Sequence, residues 1–259
     1  MPDNGCFKLE TQNSRGGSGL VRIEQLTKRF GNTLAVDNLN LTISKGEFFT
    51  IIGPNGAGKT TTLKLVAGLL RPTAGMVYVN GYDMAVKAME AKKIISFIPD
   101  VPYVYDKLTG REFLWFIGEL YEMDKNYYEE KTEHLLDLFH MENYGNQLME
   151  SYSHGMKQKV VICSALLHDP KVIVIDEPMV GLDPKSIRLV KDILREHANE
   201  GKTVFMSTHT LNLAEEVSDR IGIIHKGKLI SLGTVDEIKK AAEKTGKLED
   251  VFLKLTAET

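Results

Sequence analysis

The sequence predicts an α/β fold in which central strands are covered on both faces and a helical segment is inserted between strands. Two short apolar runs, "KVIVIDEP" and "KTVFMSTH", are typical of central strands that are covered on both faces. A third run, "EFFTII", leads through a glycine-rich loop into the helical segment "KTTTLKLVAGLL". Residues 101–165, in contrast, show helical patterning, which predicts an insertion between the strands.

The N-terminal part of the chain predicts paired strands. Residues 1–20 read as a disordered leader or a cloning remnant, and the pattern becomes strand-like at Val21. In "LNLTI", Leu39, Leu41 and Ile43 fall on one face of a strand. The segment "MVYVNGYDM" predicts a further strand that ends in an Asn-Gly turn.

The middle and the end of the chain contain helix and hairpin signals. Thr109 and Glu112 match a capping box, and the apolar residues that follow have helical spacing. The segment "IGIIHKGKLISLG" predicts a hairpin that turns at Lys226 and Gly227. The charged stretch 236–259 predicts a helical tail behind a main domain that spans residues 21–235.

The composition limits the possible classes of protein. Charged residues make up 26% of the 259 residues and the net charge is -3, which gives no support to nucleic acid as a partner. Cys6 and Cys163 are too few for a disulfide framework or a cysteine zinc site. No apolar run approaches the roughly 20 residues that span a bilayer, and the N-terminus lacks a signal-peptide core, so we expect a cytosolic chain.

The segment "GPNGAGKT" matches the phosphate-binding pattern G-x-x-x-x-G-K-[ST] between a predicted strand and a predicted helix. Backbone N–H groups of such a loop form an anion nest, the lysine reaches phosphate oxygens, and the threonine hydroxyl can ligate Mg²⁺. The alternative is a plain glycine-rich turn. We predict a P-loop NTPase with ATP-binding residues Gly53, Pro54, Asn55, Gly56, Ala57, Gly58, Lys59, Thr60 and Thr61.

The end of "VIVIDEP" supplies two carboxylates. Asp176 at the strand end is predicted to hold Mg²⁺ together with Thr60. Glu177 is the next residue and therefore points in a different direction, where it can polarise an attacking water. The alternative is an ordinary solvated Asp-Glu pair. With Lys59, Glu177 is predicted to be catalytic.

Four motifs, "GPNGAGKT", "YSHGMKQK", "VIVIDEPMVGLDP" and "MSTHT", follow one another as in ABC-type ATPase domains, which this chain resembles over nearly all of residues 21–235. The resemblance implies a mixed parallel core sheet, an antiparallel β-subdomain and a helical subdomain at about 101–165. It also implies hydrolysis of ATP at two sites that are shared between head-to-tail subunits.

The resemblance assigns further residues. Phe30 matches the aromatic residue that stacks on adenine, although a core phenylalanine is the alternative. His209 matches the histidine that contacts the γ-phosphate and completes the catalytic set. The dimer contacts that face the partner's ATP are Ser153, His154, Gly155, Met156 and Asp183. For Asp183, the alternative to a dimer contact is the N-cap of a helix that begins at Pro184.

Two departures from the family pattern stand out. His154 and Met156 replace the usual glycine and glutamine of the signature, as in export-type transporters whose signatures read Y-S-x-G-M-x-Q. Asp100 stands where a glutamine usually touches Mg²⁺ and water, so it is predicted to contact the metal or the water. Gln158, Lys157 and Lys159 are assigned to the exposed face of the signature helix.

The predicted function is that of the ATP-hydrolysing subunit of an ABC transporter that acts as an exporter. The subunit is expected to lie peripherally on the cytoplasmic face of the membrane. Its predicted partners are a second ATPase subunit, identical or different, and integral membrane permease subunits. Tyr103 and Tyr105 either line a groove for a permease helix or pack within their loop. The alternatives are a soluble ABC-type ATPase of translation, DNA repair or cofactor assembly, and a nucleotide-binding regulator without turnover.

Overall fold

The computed structural model describes residues 19–241, 248 and 252. The predicted leader, up to residue 18, and most of the predicted tail lie outside these residues. Leu20, at the end of the predicted leader, is buried, and its carbonyl accepts a hydrogen bond from the amide of Asn80. The packed part of the chain therefore includes residue 20.

The described chain combines strands with helices, and three of the helices follow one another without a strand between them. Its first half contains β1 (Val21–Phe30), β2 (Thr33–Ile43), β3 (Phe48–Ile52), α1 (Lys59–Val66), β4 (Ala74–Val79), β5 (Tyr82–Asp83), α2 (Ala88–Lys92), β6 (Ile95–Ile98), α3 (Gly110–Leu120) and α4 (Lys125–Leu138). Its second half contains α5 (His154–Leu167), β7 (Val172–Asp176), α6 (Pro184–Asn199), β8 (Thr203–Thr208), α7 (Leu211–Val217), β9 (Arg220–His225), β10 (Lys228–Gly233) and α8 (Val235–Ala241).

The larger sheet has the strand order β10-β9-β3-β8-β7-β6. Strands β9, β3, β8, β7 and β6 run parallel to one another, and β10 pairs with β9 in the antiparallel sense. All residues of β3, β7 and β8 are buried, as their unbroken apolar runs predict. The mixed, largely parallel core sheet is thus confirmed, and so is the hairpin between β9 and β10.

The smaller sheet is antiparallel, with the order β2-β1-β4-β5. Leu39, Leu41 and Ile43 are buried on one face of β2, as predicted. They belong to an apolar core that also contains residues of α1 and residues such as Phe49 and Phe205 from one face of the large sheet. Helix α1 is therefore packed between the two sheets, which holds its N-terminus in place.

The helical insertion is confirmed in kind but its predicted bounds need correction. Helix α3 begins with the predicted capping box, in which Thr109 and Glu112 each accept a hydrogen bond from the other's amide. Residues 101–109 are not helical, because the capping box starts the first helix only after Thr109. Most of 139–153 is not helical either, since α4, which is capped by Asp124, ends at Leu138. Helix α5 continues to Leu167.

Candidate functional site

The loop 53–58 leaves the buried strand β3 and turns directly into α1. Gly58 has a φ of +107°, and a Cβ there would lie 2.3 Å from the carbonyl oxygen of Ala35, so only glycine fits. The loop is further held by the amide of Gly227, which donates to the carbonyl of Ala57 over 2.9 Å. The first amides of α1 consequently open onto a rigid concavity that is suited to an anion.

Lys59 is the first residue of α1 and its side chain is largely buried in the loop. Its Nζ donates to the carbonyl oxygens of Gly53, at 2.7 Å, and Pro54, at 3.2 Å. Burial lowers the pKa of Lys59, while the nearby carboxylates of Glu177 and Asp176 oppose this shift. The structure thus brings the lysine of the loop and the two carboxylates after β7 into one electrostatic environment.

Asp176 ends β7 and is completely buried. Its Oδ1 accepts a hydrogen bond from the hydroxyl of Ser207 on the neighbouring strand β8, whereas no described residue donates to its Oδ2. A buried carboxylate oxygen without a donor suits a cation or a cation-bound water. The buried carboxylate of Asp176 therefore fits Mg²⁺, although no three His, Cys, Asp or Glu residues cluster in the described chain.

Glu177 has a left-handed backbone, with a φ of +49°. A non-glycine residue there costs about 1–3 kcal/mol and persists where its neighbours hold it. Its side chain points to the end of β8, where Oε1 lies 2.8 Å from Nδ1 of His209 and Oε2 accepts from the hydroxyl of Thr208 at 3.2 Å. These residues also line a cavity of about 170 Å³. The structure therefore brings the two predicted catalytic residues Glu177 and His209 together.

The signature residues lie at the N-terminus of α5. Ser153 is the exposed N-cap, and its Oγ accepts from the amide of Met156 at 3.3 Å. His154 is exposed, and Gly155 and Met156 are half-buried. Within the described chain no hydrogen bond joins Ser153 to the loop 53–58. The N-terminus of α5 is thus exposed, and helix N-termini carry a partial positive charge that favours anions.

The assignment of Gln158 and its neighbours to an exposed helix face is wrong. Gln158 is completely buried, because its side chain points from α5 toward Pro178 in the segment after Glu177. Lys157 and Lys159 are half-buried, and their ammonium groups pair with Asp106 and Asp183. The side of α5 that follows the signature is therefore an internal contact surface.

Asp183 is the N-cap of α6, as the alternative reading predicted. Its carboxylate accepts from the amides of Lys185 and Ser186 and from the hydroxyl of Ser186. Hydrogen bonds from Ser186 lower the pKa of Asp183 to about 2. The residue is nevertheless exposed, so the N-cap leaves it accessible to a second subunit.

Two predicted site residues lie at the edge of this arrangement. Phe30 ends β1 and is 47% exposed, which rules out the alternative of a core phenylalanine. Asp100 follows β6, the strand next to β7, and its Oδ1 accepts from the amide of Val101 at 3.0 Å. Asp100 is exposed and makes no described hydrogen bond to Lys59, Asp176 or Glu177.

Sequence reasoning missed two hydroxyl residues that orient the carboxylates. Ser207 pairs with Asp176 in the parallel register of β7 and β8, and Thr208 follows it beside Glu177. Both belong to "MSTHT", in which only His209 was singled out. Polar residues at the end of an otherwise apolar central strand were the available signal.

Sequence comparison places the chain among known transporter proteins. The family model described as ABC transporter matches residues 36–180. The chain is 35% identical to the ABC transporter ATP-binding protein NatA of Bacillus subtilis, over 90% of this chain and 97% of NatA. It is also 35% identical to the SkfA peptide export ATP-binding protein SkfE of the same organism, over 86% of this chain and 93% of SkfE.

Solved structures give the same result. The ATP-binding subunit of an ABC transporter superposes with a TM-score of 0.87 at 32% identity, covering 92% of this chain and 99% of that subunit. A dimeric ATP-binding cassette in a post-hydrolysis state, bound to ADP and Pi, superposes with a TM-score of 0.75 at 28% identity and covers 83% of this chain and 98% of that cassette.

Proposed function

Because this chain belongs to the ABC transporter family of ATP-binding subunits, we propose that it binds and hydrolyses ATP to drive a membrane exporter through closure of an ATPase dimer. The relatives that are named for transport favour this function over that of a soluble ABC-type ATPase. The observation that carries the catalytic part is the contact of 2.8 Å between Glu177 and His209, beside the buried Asp176.

The loop 53–58, Lys59 and Thr61, which is the third residue of α1, are proposed to bind ATP, the loop and Lys59 through its phosphates. Phe30 is accessible for stacking on adenine, since its ring is exposed at the end of β1. Thr60 and Asp176 would hold Mg²⁺, which neutralises charge on the phosphates when bound. Asp100, at the end of β6, is proposed to contact the metal or the attacking water.

Glu177 is proposed to act as the general base. Its carboxylate would accept a proton from the attacking water, while Nδ1 of His209 and the hydroxyl of Thr208 hold it in one orientation. The exposed edge of the imidazole is then available to the γ-phosphate. A positioned base contributes about 10² to 10⁴ in rate.

The N-terminus of α5 is proposed to bind the γ-phosphate of ATP on a second subunit, identical or homologous to this one. Ser153, His154, Gly155 and Met156 lie at that exposed terminus, and Asp183 is exposed on the adjoining segment. The similar cassette bound to ADP and Pi is dimeric, which supports a dimer for this chain. No nucleic acid partner is proposed, since the net charge is -3.

We further propose that the chain lies on the cytoplasmic face of the membrane and that permease subunits dock near the loop that follows Asp100. Val101, Tyr103 and Tyr105 are all at least half exposed, and the ring of Tyr105 meets the exposed Phe116 edge-on at 5.8 Å. No described helix is both long and apolar enough to cross a bilayer. An exposed aromatic group beside the nucleotide site suits a partner helix.

Three measurements test this function. The purified chain should hydrolyse ATP with a requirement for Mg²⁺, and it should form an ATP-dependent dimer. When it is isolated from solubilised membranes of its host, the chain should co-purify with an integral membrane protein, and the double variant Tyr103→Ser, Tyr105→Ser should lose this association while it keeps ATP hydrolysis. Co-sedimentation with ribosomes or DNA instead would favour the soluble alternative.

A further inference from the structure

One face of α5 contacts the segment that follows Glu177, residues 178–183, which we call the post-Glu177 segment. A Cβ on Gly155 would lie 2.6 Å from the carbonyl oxygen of Gly181, so the two backbones touch. One turn later, Nζ of Lys159 lies 3.6 Å from a carboxylate oxygen of Asp183. Residues four apart share a helix face, so α5 and this segment are joined over more than one turn.

Gln158 lies at the centre of this contact. Its side chain is completely buried among the apolar residues of α5, and its Nε2 donates a long hydrogen bond of 3.5 Å to the carbonyl of Pro178. Its Oε1 has no partner among the described residues. A buried amide costs free energy unless it is paired, and an apolar residue would fill this position at lower cost. The amide therefore calls for a reason other than packing.

The neighbouring Glu177 supplies that reason, because its backbone is held from two sides. Its φ of +49° is unfavourable for glutamate. On the N-terminal side, the amide of Glu177 donates to the carbonyl of Ser207 at 3.2 Å. On the C-terminal side, Gln158 binds the carbonyl of the next residue, Pro178. One hydrogen bond to β8 and one from α5 thus restrain the backbone before and after the strained residue Glu177.

We propose that Gln158 is a positioning residue for ATP hydrolysis: by binding the carbonyl of Pro178 it holds the left-handed backbone of Glu177, and with it the carboxylate that accepts the proton from water. This inference rests on the proposed function, in which Glu177 is the base. Gln158 itself is completely buried, so its proposed effect on catalysis passes through Glu177. Because Ser153 is the N-cap of α5, the helix proposed to face the partner's ATP would also hold the base for the chain's own ATP.

A double-mutant cycle tests this role. Gln158→Met keeps the length of the side chain and removes the donor, and Gln147→Met, at an exposed loop position, is the matched control. We expect Gln158→Met to lower the kcat for ATP about ten- to hundredfold, since a small misplacement of a catalytic group has effects of this size. The Kd for ATP should stay within about twofold of the parent value, and Gln147→Met should change neither.

The decisive arm combines each variant with Glu177→Gln. If Gln158 acts through Glu177, Gln158→Met causes no further loss of the residual hydrolysis in that background. An equal loss in both backgrounds, or an unchanged kcat in the parent background, overturns the inference. If Glu177→Gln alone leaves turnover intact, the proposed role of Glu177 as the base fails, and the inference about Gln158 falls with it. Should Gln158→Met not fold, Gln158→Asn keeps an amide in the core but shortens its reach, and the same two comparisons apply.

Discussion

Nδ1 of His209 lies 2.8 Å from Oε1 of Glu177, although the two residues are 32 positions apart in the sequence. The contact exists because β7 and β8 are parallel neighbours, so residues that follow their carboxyl ends meet at one edge of the sheet. The side chain of Glu177 is 18% exposed and that of His209 is 62% exposed. The two side chains therefore connect the sheltered carboxylate of Glu177 with the protein surface at His209, where a nucleotide phosphate can bind.

Replacement of Glu177 by glutamine should stop catalysis without loss of binding. The amide keeps the shape of the side chain but does not accept a proton, so we expect kcat to fall by about 10² to 10⁴ and the Kd for ATP to change little. Phosphate release and nucleotide binding by the purified variant measure both. Glu196→Gln, at an exposed position of α6, is the matched control. Undiminished turnover in Glu177→Gln would refute the catalytic assignment.

Replacement of Ser153 by arginine should abolish the ATP-dependent dimer. The long side chain blocks the exposed N-terminus of α5, while the ATP site of the same chain is untouched. Light scattering in the Glu177→Gln background, in which ATP persists, should report a monomer that binds ATP normally. Ser153→Ala separates the loss of the N-cap, about 1 kcal/mol of stability, from the blockage. Ser151→Arg, two residues earlier, should still dimerise, and a dimer of Ser153→Arg would exclude the trans role.

Replacement of Phe30 by alanine should weaken the binding of ATP through its base. Stacking of a base on an aromatic side chain contributes about 1–3 kcal/mol, which corresponds to roughly a five- to 150-fold higher Kd. The ring is half exposed at the end of β1, so the free energy of unfolding should change by no more than about 0.5 kcal/mol. Calorimetric titration should show the loss for ATP and no loss for inorganic triphosphate. Equal weakening of both ligands would mean that the ring does not contact adenine.

The free energy of unfolding should decrease as the pH is lowered, because His168 takes up a proton more readily in the unfolded chain than in the folded one. Its imidazole stacks on the ring of Tyr121 with a centroid distance of 3.7 Å. Burial lowers the pKa of His168 to about 4; the charge of Lys131 adds to this shift and that of Asp169 opposes it. The unfolded residue binds a proton below about pH 6.5, whereas the folded one does so only near pH 4. Stability therefore declines as the pH falls from 6.5 to 4, by roughly 2 kcal/mol between pH 7 and pH 5.

Urea unfolding of His168→Phe measures this contribution. The phenyl ring retains the stack on Tyr121 but does not titrate, so the variant should lose less stability than the parent between pH 7 and pH 5. His134→Phe changes an exposed histidine of α4 and should keep the pH dependence of the parent chain. Identical pH dependences for the parent and His168→Phe would show that His168 is not responsible.

The local parts of the site were predictable from the sequence. The loop 53–58 needs glycines at fixed spacing before a helix, and the capping box at Thr109 and Glu112 satisfies amides of its own first turn. The apolar runs of β7 and β8 likewise reveal central strands, since both of their faces are covered. In each case the signal itself is carried by neighbouring residues, as glycine spacing, a cap or an apolar run.

The motifs of the chain were enough to indicate its family and its P-loop, and apolar periodicity indicated most of its strands and helices, because these signals are carried by neighbouring residues. The burial of Gln158 against Pro178, the hydrogen bonds from Ser207 and Thr208 to the carboxylates and the left-handed backbone of Glu177 could be seen only in the folded chain. These features depend on strand register and on the packing of α5 against the post-Glu177 segment. A polar residue on a helix looks solvent-exposed until the neighbour that covers it is known.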